Sequence, residues 1–418
     1  MPTYYPFTLA NGLRVVIQPN PQSHMVVVNI LYRVGAAYEA PDKTGMAHFL
    51  EHIMFGGSRN VASYDKALQK VGGQNNAYTS TDVTNYWCKL PANKLPVALW
   101  LEADRLLAPS YHTHTVETQR KVVIEEFKEG YHNAPYGDVW HQLCDQAYKV
   151  HPYRWSTIGK AIDHLSQANM SKEEIIRFGK RFYAPNNAIL TIVGGIDPHK
   201  AYQEVKKWFG DIPAHPNFTL PILPQEPLQK APTFHTMAGQ VPQDALYKAY
   251  HIPSRQNKAY ISLRVLSSLL SNGKSSLLHH NLVEKQALFT DISTYPNDTI
   301  DPGLFIIKGK LSLGVTLKKA ERALAACIEQ VTAKSVSQRA LTTAKNQEVS
   351  AYLFAHTEAT AQAETLAYAT LFGDSDFFER EIAQIKEVTL ADVQTAAQQT
   401  FGPNTGHTLY YKQQRSGE

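Results

Sequence analysis

The pentapeptide HFLEH at 48–52 sets two imidazoles and a carboxylate where one ion could meet them all. On a helix, His48 and His52 are four residues apart and share one face, so both can reach a single divalent metal. Glu51 stands three residues after His48, and its carboxylate projects toward the same ion. It is placed to hold a water there and take its proton. The helix around them is otherwise apolar (Met46, Ala47, Phe49, Leu50, Ile53, Met54, Phe55). That predicts buried polar groups, which need partners, and a metal would meet the need. Two histidines leave a zinc site one protein ligand short. The third is usually a carboxylate from elsewhere, with the fourth position left open. HxxEH also occurs by chance on ordinary surface helices, so its meaning depends on context.

Candidate third ligands lie in ETQRKVVIEEFKEG at 117–130, within a helix read over 115–130. Glu125, Glu126 and Glu129 all qualify by type. Glu126 lies three and four residues after Val123 and Val122 and is expected to share their inward face. Glu125 is turned away by about 100° on the same helix. A solvated acidic face suits Glu125 and Glu129 better.

Several elements must position these groups. Residues 7–18 alternate around Asn11-Gly12, a hairpin signal. Residues 25–34 read as a buried strand, 44–55 as the HFLEH helix closed by Gly56-Gly57, and 63–71 as a short helix. The Thr-, Tyr- and Trp-rich stretch 76–90 reads as strands, 92–107 as a helix and 187–195 as a further strand. Six prolines between Asp211 and Pro232 break the pattern and predict an extended linker. Beyond it, 242–266 alternates like strands, while 276–284, 316–334, 337–371, 376–385 and 389–400 look helical. The expected architecture is α+β: two similar mixed domains, 1–212 and 233–418, joined by a linker at 213–232 and suggestive of a duplication.

Composition narrows the class. A chain of 418 residues exceeds one ordinary core. Its 43% apolar and 19% charged residues are those of a globular protein. A net charge of +4 without a clustered basic face argues against a nucleic-acid partner. Cys88, Cys144 and Cys327 form no CxxC pair, which excludes a cysteine zinc site and gives no disulfide framework. No window approaches a membrane span. The N-terminus lacks a basic segment followed by an apolar one, so the expectation is a cytoplasmic chain unless a leader has been trimmed.

HFLEH followed by VVIEE resembles the inverted-motif zinc peptidases of the pitrilysin family. The likeness is to the subgroup with two-domain subunits related to mitochondrial processing peptidase. FTLANGLRVVI at 7–17, YRVGAAYE at 32–39, FGGS at 55–58, GGQNNAYTSTDVTNYW at 72–87, HPY at 151–153 and YAPNNAILTIVGG at 183–195 look like its landmarks in order. The resemblance implies a Zn2+ held by His48, His52 and Glu126, the last lying 74 positions after His52. It implies Glu51 as catalytic base and an endopeptidase that hydrolyses peptides or unfolded polypeptides. It also implies a clamshell of two bowl-like halves, and it makes Asn76, Ala77, Tyr78 and Thr79 the peptide-binding edge strand.

Two departures stand out. Gln119 occupies a position where the family usually has a second glutamate. LVEKQALFT at 282–290 matches a family segment of the form LREKxGLxY, but with Val283 and Thr290 in place of its Arg and Tyr. Either another residue such as Tyr295 substitutes, or a partner supplies the pair. The expected assembly is therefore a dimer, with a related subunit or with itself. A non-catalytic structural subunit is the competing reading, but such relatives have typically lost the HxxEH residues kept here. A zinc hydrolase of non-peptide substrates is a third reading.

Overall fold

The computed structural model describes residues 3–333, 336–374, 376–403 and 405–414. In the first half, β1 (Tyr5–Thr8) and β2 (Arg14–Pro19) flank the Asn11-Gly12 turn, where Gly12 takes a left-handed φ of 85°. There follow β3 (Met25–Tyr32), α1 (Met46–Met54), α2 (Tyr64–Gln69), β4 (Gln74–Thr79), β5 (Thr84–Pro91), α3 (Leu95–Leu107) and α4 (Thr113–Phe127). A π-helical turn over Lys128–Asn133 extends α4. Then come α5 (Val139–Ala147), α6 (Lys172–Phe182), β6 (Ala188–Gly194) and α7 (Pro198–Phe209). No helix or strand interrupts 210–232, the proline-rich stretch. The second half runs β7 (Thr233–Gly239), β8 (Ala245–Ile252), α8 (Ala259–Ser271), β9 (Phe289–Pro296), β10 (Gly303–Leu311), α9 (Leu317–Ala333), α10 (Gln338–Ala355), α11 (Ala359–Phe372), α12 (Phe377–Glu387), α13 (Leu390–Thr400) and β11 (His407–Gln413).

The two sheets repeat one another. The first is ordered β1-β2-β6-β3-β5-β4 and the second β7-β11-β8-β10-β9. Without β1, each strand of the first has its counterpart five places later in the second. The lone parallel pairing, β2 with β6, recurs as β7 with β11. Identical order and direction in five strands is what a duplicated domain would leave.

The compact units are not continuous stretches of chain, in contrast to the expected division at 212 and 233. Unit 1 takes Met1–Lys128, His151–Pro224 and Ala355–Phe378; unit 2 takes Glu129–Val150, Gln225–Phe354 and Glu379–Glu418. The physical reason lies in α11. Its Ala363 and Leu366 pack on Val16, Val27 and Val193 of the first sheet, and Thr191 donates a 2.7 Å hydrogen bond to the Ala363 carbonyl. That face of the sheet finds its apolar cover in a helix from late in the chain. The segment 129–150 buries Val139, Leu143, Cys144 and Ala147 with unit 2.

Two element expectations change. Residues 259–266, expected as strand, form the start of α8, because a short, fully buried apolar run fits either element. The single helix expected over 337–371 divides at 356–358 into α10 and α11, one in each unit.

Candidate metal centre

Helix α1 carries the HFLEH residues, and its start is fixed by backbone chemistry. Gly45 precedes it with φ 94°, and a Cβ there would lie 2.8 Å from the Ile158 carbonyl oxygen. The buried Glu39 carboxylate accepts from the Gly45 amide at 2.8 Å and the Ala47 amide at 2.7 Å. A carboxyl there satisfies donors that a helix N-terminus leaves without partners, while burial pushes it up to about 8 against the pull of those amides. Met46, Ala47, Phe49, Leu50, Ile53 and Met54 then bury the other faces.

Helix α4 is clamped against α1 by Arg120. Its guanidinium lies 5.2 Å from the Phe49 ring centroid and donates to the carbonyls of Leu165 and Met170. Two turns of α4 then deliver side chains to α1: Gln119 and, seven residues on, Glu126. Val123 is fully buried, but Val122 is 40% exposed. The expectation that both valines share an inward face with Glu126 is corrected: the helix turns Val122 outward, and Glu126 follows Val123 alone. Glu125 is exposed and paired with Lys128 at 2.7 Å. Glu129 is exposed as well.

The structure brings His48, His52 and Glu126 together. Nε2 of His48 and Nε2 of His52 are 3.3 Å apart. Oε2 of Glu126 lies 3.4 Å from the His52 nitrogen and 3.9 Å from the His48 nitrogen. Among the described residues this is the one group of three or more His, Cys, Asp or Glu side chains that could hold a metal ion. The residues fit zinc on their own geometry, since a tetrahedral ion with ligands at about 2.0–2.1 Å sets its ligand atoms about 3.4 Å apart. Two neutral imidazole nitrogens facing each other at 3.3 Å repel unless a proton or a cation lies between them. The histidines are not fully buried as expected: their side chains are 19% and 20% exposed, and that of Glu126 is 40% exposed. A cation could therefore reach the site from solvent.

Protonation states suit ligation. Burial pushes the His48 imidazole down to about 4, and the neighbouring His52 adds to the effect, so it is neutral near pH 7. The His52 Nδ1 meets the Gln119 side-chain oxygen at 3.3 Å. An oxygen acceptor there places the proton on Nδ1 and leaves the Nε2 lone pair facing Glu126. His48 Nδ1 is buried without a hydrogen-bond partner.

Glu51 is buried at 8% exposure, and one carboxylate oxygen accepts from the Thr79 hydroxyl at 2.6 Å. Burial pushes its carboxyl above the ordinary range, against the pull of Thr79, His52 and Arg105. Arg105 is itself buried, ion-paired with Glu102 and ringed by Tyr86, Tyr64 and Phe55 at 4.2, 4.6 and 5.5 Å. Neither Arg105 nor Glu39 was singled out from the sequence. The i, i+3 spacing of Glu102 and Arg105 on an apolar helix was the available signal.

Asn76, Ala77, Tyr78 and Thr79 form the outer strand β4, which pairs with β5 alone. Asn76 turns its side-chain oxygen onto the Ala77 amide at 2.9 Å, and the Tyr78 hydroxyl donates to Glu364 of α11. Within the second unit, Val283 packs against the core. Thr290 is exposed and accepts from the Gln243 amide at 2.6 Å. Tyr295 lies on β9 at 37% exposure.

Comparison with known proteins identifies the family. The family described as "Insulinase (Peptidase family M16)" matches residues 14–160, and "Peptidase M16 inactive domain" matches 169–348. The zinc protease PqqE of Helicobacter pylori is 30% identical over 346 residues, 82% of this chain and 77% of that protein. A probable mitochondrial-processing peptidase subunit beta of Arabidopsis thaliana is 26% identical over 224 residues, 53% of this chain and 41% of that protein. The crystal structure of a protease from Helicobacter pylori superposes with a TM-score of 0.93 at 26% identity, covering 99% of this chain and 100% of that one. The chain belongs to peptidase family M16, the pitrilysin-type zinc metallopeptidases with the HxxEH motif.

Proposed function

We propose that this chain is a zinc-dependent endopeptidase acting on peptides or unfolded polypeptides, with His48, His52 and Glu126 as the metal ligands and Glu51 as the general base. The observation that carries this reading is the triangle of ligand atoms with edges of 3.3, 3.4 and 3.9 Å beside a buried carboxylate. Zinc bound there supplies the positive charge that acidifies water and polarises a substrate carbonyl. Glu51 takes the proton from the attacking water and returns it to the leaving amine. Thr79 fixes one oxygen of that carboxylate. The outer edge of β4 offers backbone donors and acceptors to an extended substrate, which gives affinity with little demand on sequence.

The test is metal analysis with peptidase assays. The purified chain is expected to carry close to one zinc, and His48→Ala, His52→Ala and Glu126→Gln each to strip most of it. Full zinc in the Glu126 variant would pass the ligand role to another acid. Cleavage of a quenched peptide library that survives a chelator would refute the reading.

A second reading is a subunit that is weakly active alone and works as a dimer with a related chain. Val283, half-buried against the core, and Thr290 on the surface favour it, since neither offers the charged or phenolic group that family members carry there. Light scattering and activity of the isolated chain decide: a monomer with high activity excludes it.

A further inference from the structure

One face of the unit 2 sheet is packed by α8, α9 and α13; on the other, α5 covers β8 and β11, and beside it the end of β10 presents a charged, aromatic platform. Phe305, Ile307 and Leu311 of β10 enter the core with residues of α8, α9 and α13. The alternate positions Lys308 and Lys310 point to the opposite face, and both are exposed. Lys308 is flanked across the strands by Tyr247 and Ser293, and Lys310 by Ala245 and Asp291. The Lys308 ammonium lies 5.6 Å from the Tyr295 ring centroid, and the Lys310 ammonium 5.4 Å from that of Tyr136. Neither ammonium forms an ion pair among the described residues.

The platform is held rigidly. Tyr136 has φ 64°, a left-handed conformation that costs a non-glycine residue about 1 kcal/mol or more. Its hydroxyl donates to the Gln243 carbonyl at 2.6 Å and accepts from the Gln243 amide at 3.3 Å. Its ring packs on Tyr411 at 5.3 Å and Tyr247 at 6.5 Å. Of the acids nearby, Asp138 is met by the Tyr411 hydroxyl at 3.4 Å and Asp244 by the Gln413 amide at 2.8 Å. Asp291 stands beside Lys310 across the strand pair.

We infer that this face of unit 2 binds an extended peptide segment carrying carboxylates at alternate positions. Two lysines two residues apart on a strand are spaced by about 6.6–6.8 Å, which matches side chains two residues apart in an extended ligand. The tyrosine rings offer apolar surface to the methylene stems of those acidic side chains. This deepens the peptidase reading and rests on it, because it names the class of peptide that the chain selects.

The test uses the full chain with Glu51→Gln, so that binding is read without cleavage. Fluorescent peptides capped at both ends are compared: one with Glu at alternate positions, one with Gln in their place, and one with Lys. Fluorescence anisotropy should show the acidic peptide bound about tenfold more tightly than its Gln counterpart, since two exposed charge pairs add little each. Added salt should shrink the difference. Lys308→Gln/Lys310→Gln should abolish it with zinc content unchanged, and Lys308→Glu/Lys310→Glu should shift the preference to the Lys peptide. No preference in the parent, or the same preference in either double variant, would overturn the inference. Equal displacement by single-stranded DNA would overturn it too, because the face would then be a general polyanion surface. Failure of the peptidase reading shows separately, as absent cleavage by the chain that retains Glu51.

Discussion

Replacing Glu39 tests how the ligand helix is held, because this residue touches none of the proposed ligands. Its carboxylate is 7% exposed, and both oxygens are occupied by the amides of Gly45 and Ala47. In Glu39→Ala both donors lose their partner in an enclosed site. An orphaned buried donor costs about 1–3 kcal/mol, so the variant should lose about 2–6 kcal/mol. Glu39→Gln keeps the volume and one acceptor oxygen but turns an amide toward the other donor, so it should lose about 1–3 kcal/mol. Against a typical domain stability of about 5–15 kcal/mol, the alanine variant approaches unfolding. Urea denaturation followed by tryptophan fluorescence is suited to this, since the Trp155 indole donates to the Ala36 carbonyl at 2.9 Å, close in sequence to Glu39. A frayed α1 also misplaces His48, so zinc affinity should fall by about tenfold or more in both variants. A Gln variant with the wild-type midpoint and zinc affinity would refute the reasoning, as would an alanine variant more stable than the Gln one.

Glu51→Gln should retain zinc and fold while turnover falls by several orders of magnitude, because attack loses its proton acceptor and the leaving amine its donor; near wild-type cleavage would contradict the assigned base. Gln119→Glu should tighten zinc about 10- to 100-fold in a chelator competition, because a carboxylate replaces the neutral oxygen 3.3 Å from His52 Nδ1. His407 concerns pH. Burial, with His251 and Lys149, holds its imidazole down to about 4. The unfolded chain therefore binds more protons between about pH 6.5 and 4, and stability is lost as pH falls through that window, by up to about 3 kcal/mol. Urea midpoints should show the loss in the wild type and a shallower one in His407→Gln; parallel profiles would remove His407 as the cause.

Local pattern determined much of this protein. The period of HFLEH put His48, Glu51 and His52 on one helical side, and the Pro-rich run predicted the break near 213–232. The Thr- and Tyr-rich stretch announced β4 and β5. These signals rest on contacts within one or two turns of chain, so residue types alone encode them. Other features depended on which distant segments meet. The sequence narrowed the third ligand to Glu125, Glu126 or Glu129 and the resemblance favoured Glu126, yet its approach to the histidines comes from the packing of α4 against α1, where Arg120 lies over Phe49. Val122 was misjudged because a helical wheel does not say where the neighbouring helix lies. The late helix α11 joined unit 1 because the sheet presented uncovered Val16, Val27 and Val193, a need invisible from either segment alone. Glu39 and the Tyr136–Lys310 platform were likewise silent in the sequence. A buried carboxylate or a left-handed tyrosine gains its meaning from partners that only the tertiary structure supplies.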